Sequence, residues 1–355
     1  MAKKVTIYEV ARLSGVSAGT VDRVVHCRGN VSAANRAAVE EAIKKTGYTP
    51  NLHVSSLTTK RHYDLAIVIP EVAEGEYWDS IRDGIERALN VYRDFDISAH
   101  YYFYNQFNIY SCAEAYEEVA KSNPSAVIIG PTFSDETLEF TNTLTDNGIP
   151  YVCVDSVVES TEPVASFCVN QQVCGSLIAK MISQITPGGS EYVICRAERI
   201  GNSSANNTIQ RKIGFRNYFR DKDKFVKIHN ISFSVSNPTD NDKTFRKFFE
   251  ENPNVRGAVV LSSRGSIVAE CLDRLSIEGV RLVCLDLTGS NVRALKRGLI
   301  DMLICQRPTY QGYLAVRHIM MNLLYGHVTS QTMYMPLDIV TKENLDFYQE
   351  MMEPL

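Results

Sequence analysis

No apolar run in the 355-residue chain approaches the roughly 20 residues that a membrane-crossing helix needs. Lys3 and Lys4 near the start are followed by no continuous apolar stretch, so nothing here reads as a secretory leader, and a cytosolic protein is expected. The nine cysteines are odd in number and contain no C-x-x-C pair, which argues against a disulfide framework or a zinc site and for small buried hydrophobes in a reducing compartment. The seven histidines form neither HxxxH nor HExxH, so no metal is assigned, and no cofactor is expected. A Walker loop, GxGxxG, GxSxG and a Ser/His/Asp set are all missing, which makes an enzyme the weaker reading. What the chain does have is 45% hydrophobic and 22% charged residues, the balance of a soluble globular protein with two or three folded units.

Charge is divided unevenly. Ten Lys and Arg against four acids give residues 1–62 a charge of +6, while the whole chain is −4, so the remainder carries −10. A small basic head on an acidic body points to a head that meets a polyanion.

The head reads as three short helices. Thr6-Ile7-Tyr8-Glu9 has the form of a capping box, and Ile7, Val10, Ala11 and Leu13 follow at helical spacing up to Ser14-Gly15. Gly15 suits the positive φ of a tight turn. Val16 anchors that turn, and Ser17 caps a second helix with Val21, Val24 and Val25 on its apolar side. A third helix starts at Ser32, runs through Val39 and Ile43, and stops at Gly47. Helix, glycine turn, helix is the layout of a helix-turn-helix.

The segment VTIYEVARLSGVSAGTVDRVVHCRGNVSAANRAAVEEAIKKTGYTPN, Val5 to Asn51, closely resembles the DNA-binding domain of the lactose-repressor/galactose-repressor family. The resemblance makes Ser17 to Val25 a recognition helix for the major groove. It lays the family's base-reading positions on Ala18, Gly19 and Arg23. Arg23 can address a guanine edge and Ala18 a thymine methyl, whereas Gly19 has no side chain and at most permits close approach. Asp22 stands where many members carry a hydroxyl near phosphate; it either accepts from cytosine, holds Arg23 or turns away. Thr6, Ser17, Thr20, Asn30 and Ser32 are the expected phosphate partners. Residues 51–60 match the family's hinge, with Leu57 at the place of the leucine that wedges into the minor groove. Val54 and Ser55 replace the usual alanine and arginine there.

From Tyr63 on, buried strands at Leu65–Pro70, Ile97–Tyr104, Ala126–Gly130 and Tyr151–Val154 alternate with helical segments. A second series follows at Tyr192–Cys195, Val226–Phe233, Ala258–Leu261 and Arg281–Leu285. Two successive βαβ arrays imply two doubly wound parallel sheets. The α/β body resembles the type I periplasmic-binding-protein fold that forms the same family's effector domain. The expected organisation is a helix-turn-helix domain over 1–50, a hinge over 51–62 and an effector and dimerisation domain over 63–343. Its N-lobe is expected over 63–165 and 306–330, its C-lobe over 166–305 and 331–343, and a tail over 344–355. The tail is too short for sustained heptads, so dimers are expected.

A ligand in such a fold lies between the lobes at the carboxyl ends of the strands. Tyr77 and Trp78 precede a family-like I-x-x-G-I, and either could stack on a sugar ring or pack at the hinge. Asp155 ends the fourth strand. The resemblance assigns effector contact to Arg211, in R-x-x-G-F, to Asp286 and to Gln306, and Ser263 is a further candidate in the loop after the strand at 258–261. Departures accompany these matches. Ser262-Ser263-Arg264 replaces an Asn-Asp, Asn170 replaces an Asp before the helix at 171, and Arg199, Asn202 and Ser203 form a polar rim. An arginine-rich cleft would favour a sugar acid or sugar phosphate over a neutral sugar. The resemblance implies a homodimeric repressor on a pseudo-palindromic operator, controlled by a sugar-type effector. The alternative is the same DNA-binding role under a protein partner or a non-sugar ligand.

Overall fold

The computed structural model describes residues 5–25, 31–46, 61–200, 206–221, 225–326 and 331–352. The head contains α1 (Ile7–Ser14), α2 (Ala18–Val25) and α3 (Ala33–Thr46) around a small core of Val10, Val21, Val24, Val25 and Val39. Gly15 closes α1 at φ 68°, the left-handed turn its lack of a Cβ allows. Thr6 holds the N-cap position, but its side chain makes no cap hydrogen bond, so the capping box read from the sequence does not form. Ser17 does cap α2: its Oγ accepts from the Thr20 amide at 3.1 Å. Ser32 likewise caps α3 through the Asn35 amide at 3.3 Å.

The body is built from β1 (Tyr63–Pro70), α4 (Tyr77–Val91), β2 (Ile97–Tyr104), α5 (Ile109–Ser122), β3 (Ala126–Ile129), α6 (Ser134–Asp146), β4 (Tyr151–Asp155) and β5 (Ala165–Cys168). Then come α7 (Gln171–Ile185), β6 (Glu191–Ala197), α8 (Asn206–Arg220), β7 (Ile228–Phe233), α9 (Pro238–Glu251), β8 (Val255–Val260), α10 (Gly265–Arg274) and β9 (Arg281–Leu285). The chain ends with α11 (Gly289–Lys296), β10 (Met302–Cys305), α12 (Pro308–Tyr325), β11 (Gln331–Tyr334), β12 (Asp338–Val340) and α13 (Leu345–Met352).

Two six-stranded sheets result, in the orders β11-β5-β4-β3-β1-β2 and β12-β10-β9-β8-β6-β7. The named strand pairs are parallel except β10 with β12. Strands such as AVII in β3 and VCL in β9 are buried on both faces, as helices on each side of a parallel sheet require.

The lobe boundaries differ from the sequence expectation by about one strand. β5 pairs with β4 along its whole length, from Val152↔Ala165 to Asp155↔Cys168, so the N-lobe runs to Cys168 and not to 165. β11 pairs with β5, which puts 331–334 in the N-lobe and the last crossing between Tyr334 and Asp338. Short apolar strands such as ASFC carry no mark of which sheet they join; pairing decides it. Within the tail segment, Leu345 is buried in the C-lobe core and Tyr348 donates to Asp338 at 2.8 Å.

Two helix pairs lock the layers, one in each lobe. In the N-lobe, Gly84 of α4 and Gly312 of α12 face each other's helix so closely that a Cβ on either would strike backbone, at Thr309 and Ile81. In the C-lobe, Gly175 of α7 and Gly214 of α8 do the same at the backbones of Arg211 and Gln172. The second crossing sets α8, and with it the site, against the mouth of the cleft.

Candidate functional site

Between the lobes lies a polar cavity lined by Tyr77, Trp78, Asp155, Asn207, Arg211, Ser263, Asp286 and Gln306, among others. All seven cleft residues expected from the sequence are therefore brought to one place. Asp155 stands at the end of β4 and Asp286 just beyond β9, both in left-handed backbone, at φ 69° and 66°. Aspartate tolerates that region better than most residues, and it turns each carboxyl off its strand into the cleft.

Asp155 is held by four neighbours, one of them Gln171, whose Nε2 donates to its carbonyl at 2.9 Å. Tyr77 Oη donates to its Oδ1 at 2.7 Å, Asn207 Nδ2 donates to its Oδ2 at 2.6 Å, and its own amide donates to Gln311 Oε1 at 2.9 Å. Asp286 accepts from Gln306 Nε2 at 3.0 Å on both oxygens. Burial pushes the Asp286 carboxyl up to about 7, with hydrogen bonds from Gln306 and Ser263 and the Arg211 charge drawing it back. Burial also raises Asp155, against the pull of Arg211, Tyr77 and Asn207. The Tyr77 phenol, buried beside both carboxyls, is held well above its ordinary range and remains a donor.

Arg211 is buried and committed within the protein. Its Nε donates to Gln171 Oε1 at 2.6 Å, one Nη to the Leu261 carbonyl at 2.9 Å and the other to Gln306 Oε1 at 2.7 Å. Gln306 thus links the guanidinium to Asp286. Asn291, also buried, donates to the carbonyls of Ser263, Leu285 and Asp286 at 3.1, 2.8 and 3.1 Å and so fixes the loops that carry Ser263 and Asp286.

Tyr77 and Trp78 meet edge to face at 5.5 Å and 88°. Trp78 is buried and its ring lies against Gly130, where a Cβ would collide with it. Both aromatics therefore pack at the lobe junction and line the cavity at once; the two expectations are not exclusive.

The mouths are bridged on both sides. On one, Arg264 Nη1 meets Glu76 Oε2 at 2.6 Å, and the Gly289 amide donates to the Gly75 carbonyl at 2.9 Å. On the other, Ile200 pairs with Asn108 as an isolated parallel bridge, its amide donating to the Phe107 carbonyl at 2.7 Å. Arg199 lies over the Phe107 ring at 5.1 Å and donates to the Gln106 carbonyl. The cavity left is about 60 Å³. Ordinary small-molecule pockets start near about 300 Å³, so this is a contracted, closed cleft. A second cavity of about 290 Å³ adjoins it toward the hinge strands, sharing Tyr77 and Asp286.

These contacts bear on the charge argument from sequence. Arg264 is paired with Glu76 at the rim and Arg211 donates to neutral acceptors, while Arg199 lines the cavity and donates to the Gln106 carbonyl. Asn170 caps α7 by accepting from the Val173 amide at 3.0 Å. Asn202 and Ser203 lie outside the described residues. Sequence reading missed Asn207, Gln171, Gln311 and Asn291. Only Asn207 carried a usable signal, one helical turn before Arg211 on the same face. Its Oδ1 is buried with no partner among the described residues.

On the head, Gly19 and Arg23 are exposed along one side of α2, whereas Ala18 packs partly on the three-helix core. The hydroxyls of Ser17 and Thr20 are 2.9 Å apart and bond each other. Asn30, Val54, Ser55 and Leu57 lie outside the described residues.

The family model described as bacterial regulatory proteins, lacI family, matches residues 6–51, and one described as a periplasmic binding protein domain matches 65–327. The transcriptional regulator DegA of Bacillus subtilis is 39% identical over 85 residues, 24% of this chain; the chain spans only 25% of that relative's length. A structure described as a LacI transcriptional regulator from Bacteroides fragilis is 31% identical, with a TM-score of 0.76 over 81% of this chain and 100% of its own. The regulator CelR in complex with cellobiose shares the fold, with a TM-score of 0.61 and 20% identity over 95% of this chain and 98% of its own.

Proposed function

Because the chain belongs to the lacI family of bacterial regulatory proteins, DNA-binding regulators and not enzymes, we propose that it represses transcription as a cytoplasmic homodimer released or recruited by a neutral sugar. The observation that carries the effector reading is the polar lining of the cleft: two carboxyls, a tyrosine hydroxyl and an amide oxygen with no partner among the described residues, with Arg211 and Arg264 already engaged. Carboxylates and amide oxygens accept from sugar hydroxyls, and a T-shaped aromatic pair offers a ring face to the C–H side of a pyranose. A sugar acid or phosphate would instead need a free cation. The cellobiose complex of CelR supports a saccharide in a fold of this kind. No helix among the described residues is long and apolar enough to cross a membrane.

Effector binding acts only if it distinguishes two lobe arrangements. The bridges at Arg264–Glu76 and at Ile200–Phe107 are among the contacts that opening must break, with Gly289–Gly75, Arg199–Gln106 and Asn207–Asp155, and a ligand larger than the closed cavity shifts their balance. The lobes carry that change to the segment between β1 and the head. On DNA, α2 would enter the major groove with Arg23 and Gly19 foremost, while Thr6, Ser17, Thr20, Asn30 and Ser32 hold phosphate and Leu57 wedges the minor groove.

The test is a titration of the single tryptophan, Trp78, with neutral, acidic and phosphorylated sugars, run beside operator binding. A saturable change with a neutral sugar that also moves operator affinity is expected. A response to sugar acids or phosphates alone would overturn the neutral-sugar reading. Silence from all three classes would overturn the sugar reading as a whole.

A further inference from the structure

The back of α8 faces a groove that shares only Thr208 with the lining of the cleft. Its cavity is about 400 Å³, within the small-molecule range, and it is lined by Arg196 of β6, by Lys212 and Arg216 of α8, and by Ile194, Ile209 and Ile213. No acidic side chain lines it, although the body as a whole carries −10. Lys212 and Arg216 are one helical turn apart, a spacing at which like charges repel. Nearby cations on the same lobe have acids: Glu191 takes Lys227 at 3.3 Å and His229, and Asp221 takes Arg220 at 3.5 Å. Lys212 and Arg216 have no such partner among the described residues. Burial, then the charges of Arg216 and Arg196, lower the Lys212 ammonium from its ordinary value, which records how closely the three converge. Ile209 and Ile213 stand exposed beside them, at 45% and 39%.

We propose that this groove is a second binding site, for a small organic anion that joins a phosphate or carboxylate head to an apolar body. The head would meet Arg196, Lys212 and Arg216, and the body would cover the isoleucines. Helical spacing places the site on the reverse of Asn207 and Arg211, which face the cleft from the same helix. A ligand there bears on α8 and hence on the residues that hold Asp155 and Gln306. The binding stands apart from the sugar reading; its influence on the cleft rests on that reading.

The test uses the full chain and calorimetry at low salt with three matched probes: hexyl phosphate, hexanoate and hexanol. Saturable binding of one per chain by hexyl phosphate, hexanoate or both is expected, and the stronger of the two identifies the head group. Hexanol should not saturate. The paired change Lys212→Gln with Arg216→Gln, both at partly or fully exposed positions, should weaken the anion by at least about tenfold, the loss of charge-assisted hydrogen bonds. Asn207→Ala, which alters the cleft, should leave anion binding unchanged. Failure of both anions to bind, an equal response to hexanol, or an affinity indifferent to the paired change would overturn the site. Loss of binding in Asn207→Ala alone would put the anion in the cleft and overturn it as well. If the groove binds while Trp78 fluorescence and sugar affinity stay unmoved, the site stands and its influence on the cleft falls.

Discussion

Asp155 and Asp286 occupy matching places in the two lobes. Asp155 ends and Asp286 follows the fourth strand, in chain order, of its sheet; each has a positive φ, and each lines the same cavity. An amide side chain pins each backbone: Gln311 accepts from the Asp155 amide, and Asn291 donates to the Asp286 carbonyl. The lobes thus turn two carboxyls toward one cavity.

Asparagine tolerates the left-handed backbone, so Asp155→Asn and Asp286→Asn test the charge without straining the chain. Each should weaken a neutral sugar by about tenfold to a hundredfold, the range of a lost charge-assisted hydrogen bond. Operator affinity without effector should stay unchanged. Calorimetry and operator binding on the same samples read both. Full sugar affinity in either variant would remove that carboxyl from the site.

Stability should respond to pH through Asp286. Its folded value of about 7 lies above the roughly 3.9 of a free aspartate. Between these values the folded cleft holds a proton that the unfolded chain has lost, so this group's contribution falls as pH rises through about 4 to 7 and then levels off. Asp155 is raised too and acts in the same sense. Urea unfolding at several pH values should find Asp286→Asn gaining on the unmutated protein as pH rises, by the order of a few kcal/mol across the window. Parallel curves would contradict the raised carboxyl.

Arg211→Ala is a stability variant before it is a binding variant. It strands the Gln171 and Gln306 side-chain oxygens and the Leu261 carbonyl, and a buried unsatisfied polar group costs about 1–3 kcal/mol. Loss of at least about 2 kcal/mol of unfolding free energy is expected, along with loss of sugar response. An unchanged urea midpoint with sugar binding abolished would mean that Arg211 contacts ligand directly, contrary to its closed network here.

On the head, a methyl at Gly19 would meet only Ser17 Oγ, at 3.8 Å. Gly19→Ala should therefore stabilise α2, by about 0.5–1 kcal/mol, and weaken operator binding only if DNA backbone or bases approach Gly19 closely. Arg23→Ala should cost about 1–3 kcal/mol on the specific operator and relax its sequence preference. A uniform loss on all DNA would instead make Arg23 a phosphate contact.

Local order was legible along the chain. The valines at helical spacing, Gly15 at its turn, Ser17 and Ser32 at their caps, and the buried β-strand runs each owe their form to neighbours within a few residues. The resemblance and the strand-end positions together named seven cleft residues, and all seven line one cavity. What escaped the sequence needs partners far away in the chain. Asp155 and Asn207 are 52 residues apart and Arg211 and Gln306 are 95, and only the two sheets facing each other bring them within hydrogen-bond reach. The arginine count pointed to an anionic effector, yet pairing commits Arg264 to Glu76 and Arg211 to Gln171 and Gln306, leaving Arg199 on the cavity wall. The side chains present were determined by sequence alone; which of them remain free to meet a ligand was decided by the closing of one lobe on the other, because a polar group's chemistry depends on the partner it has already found.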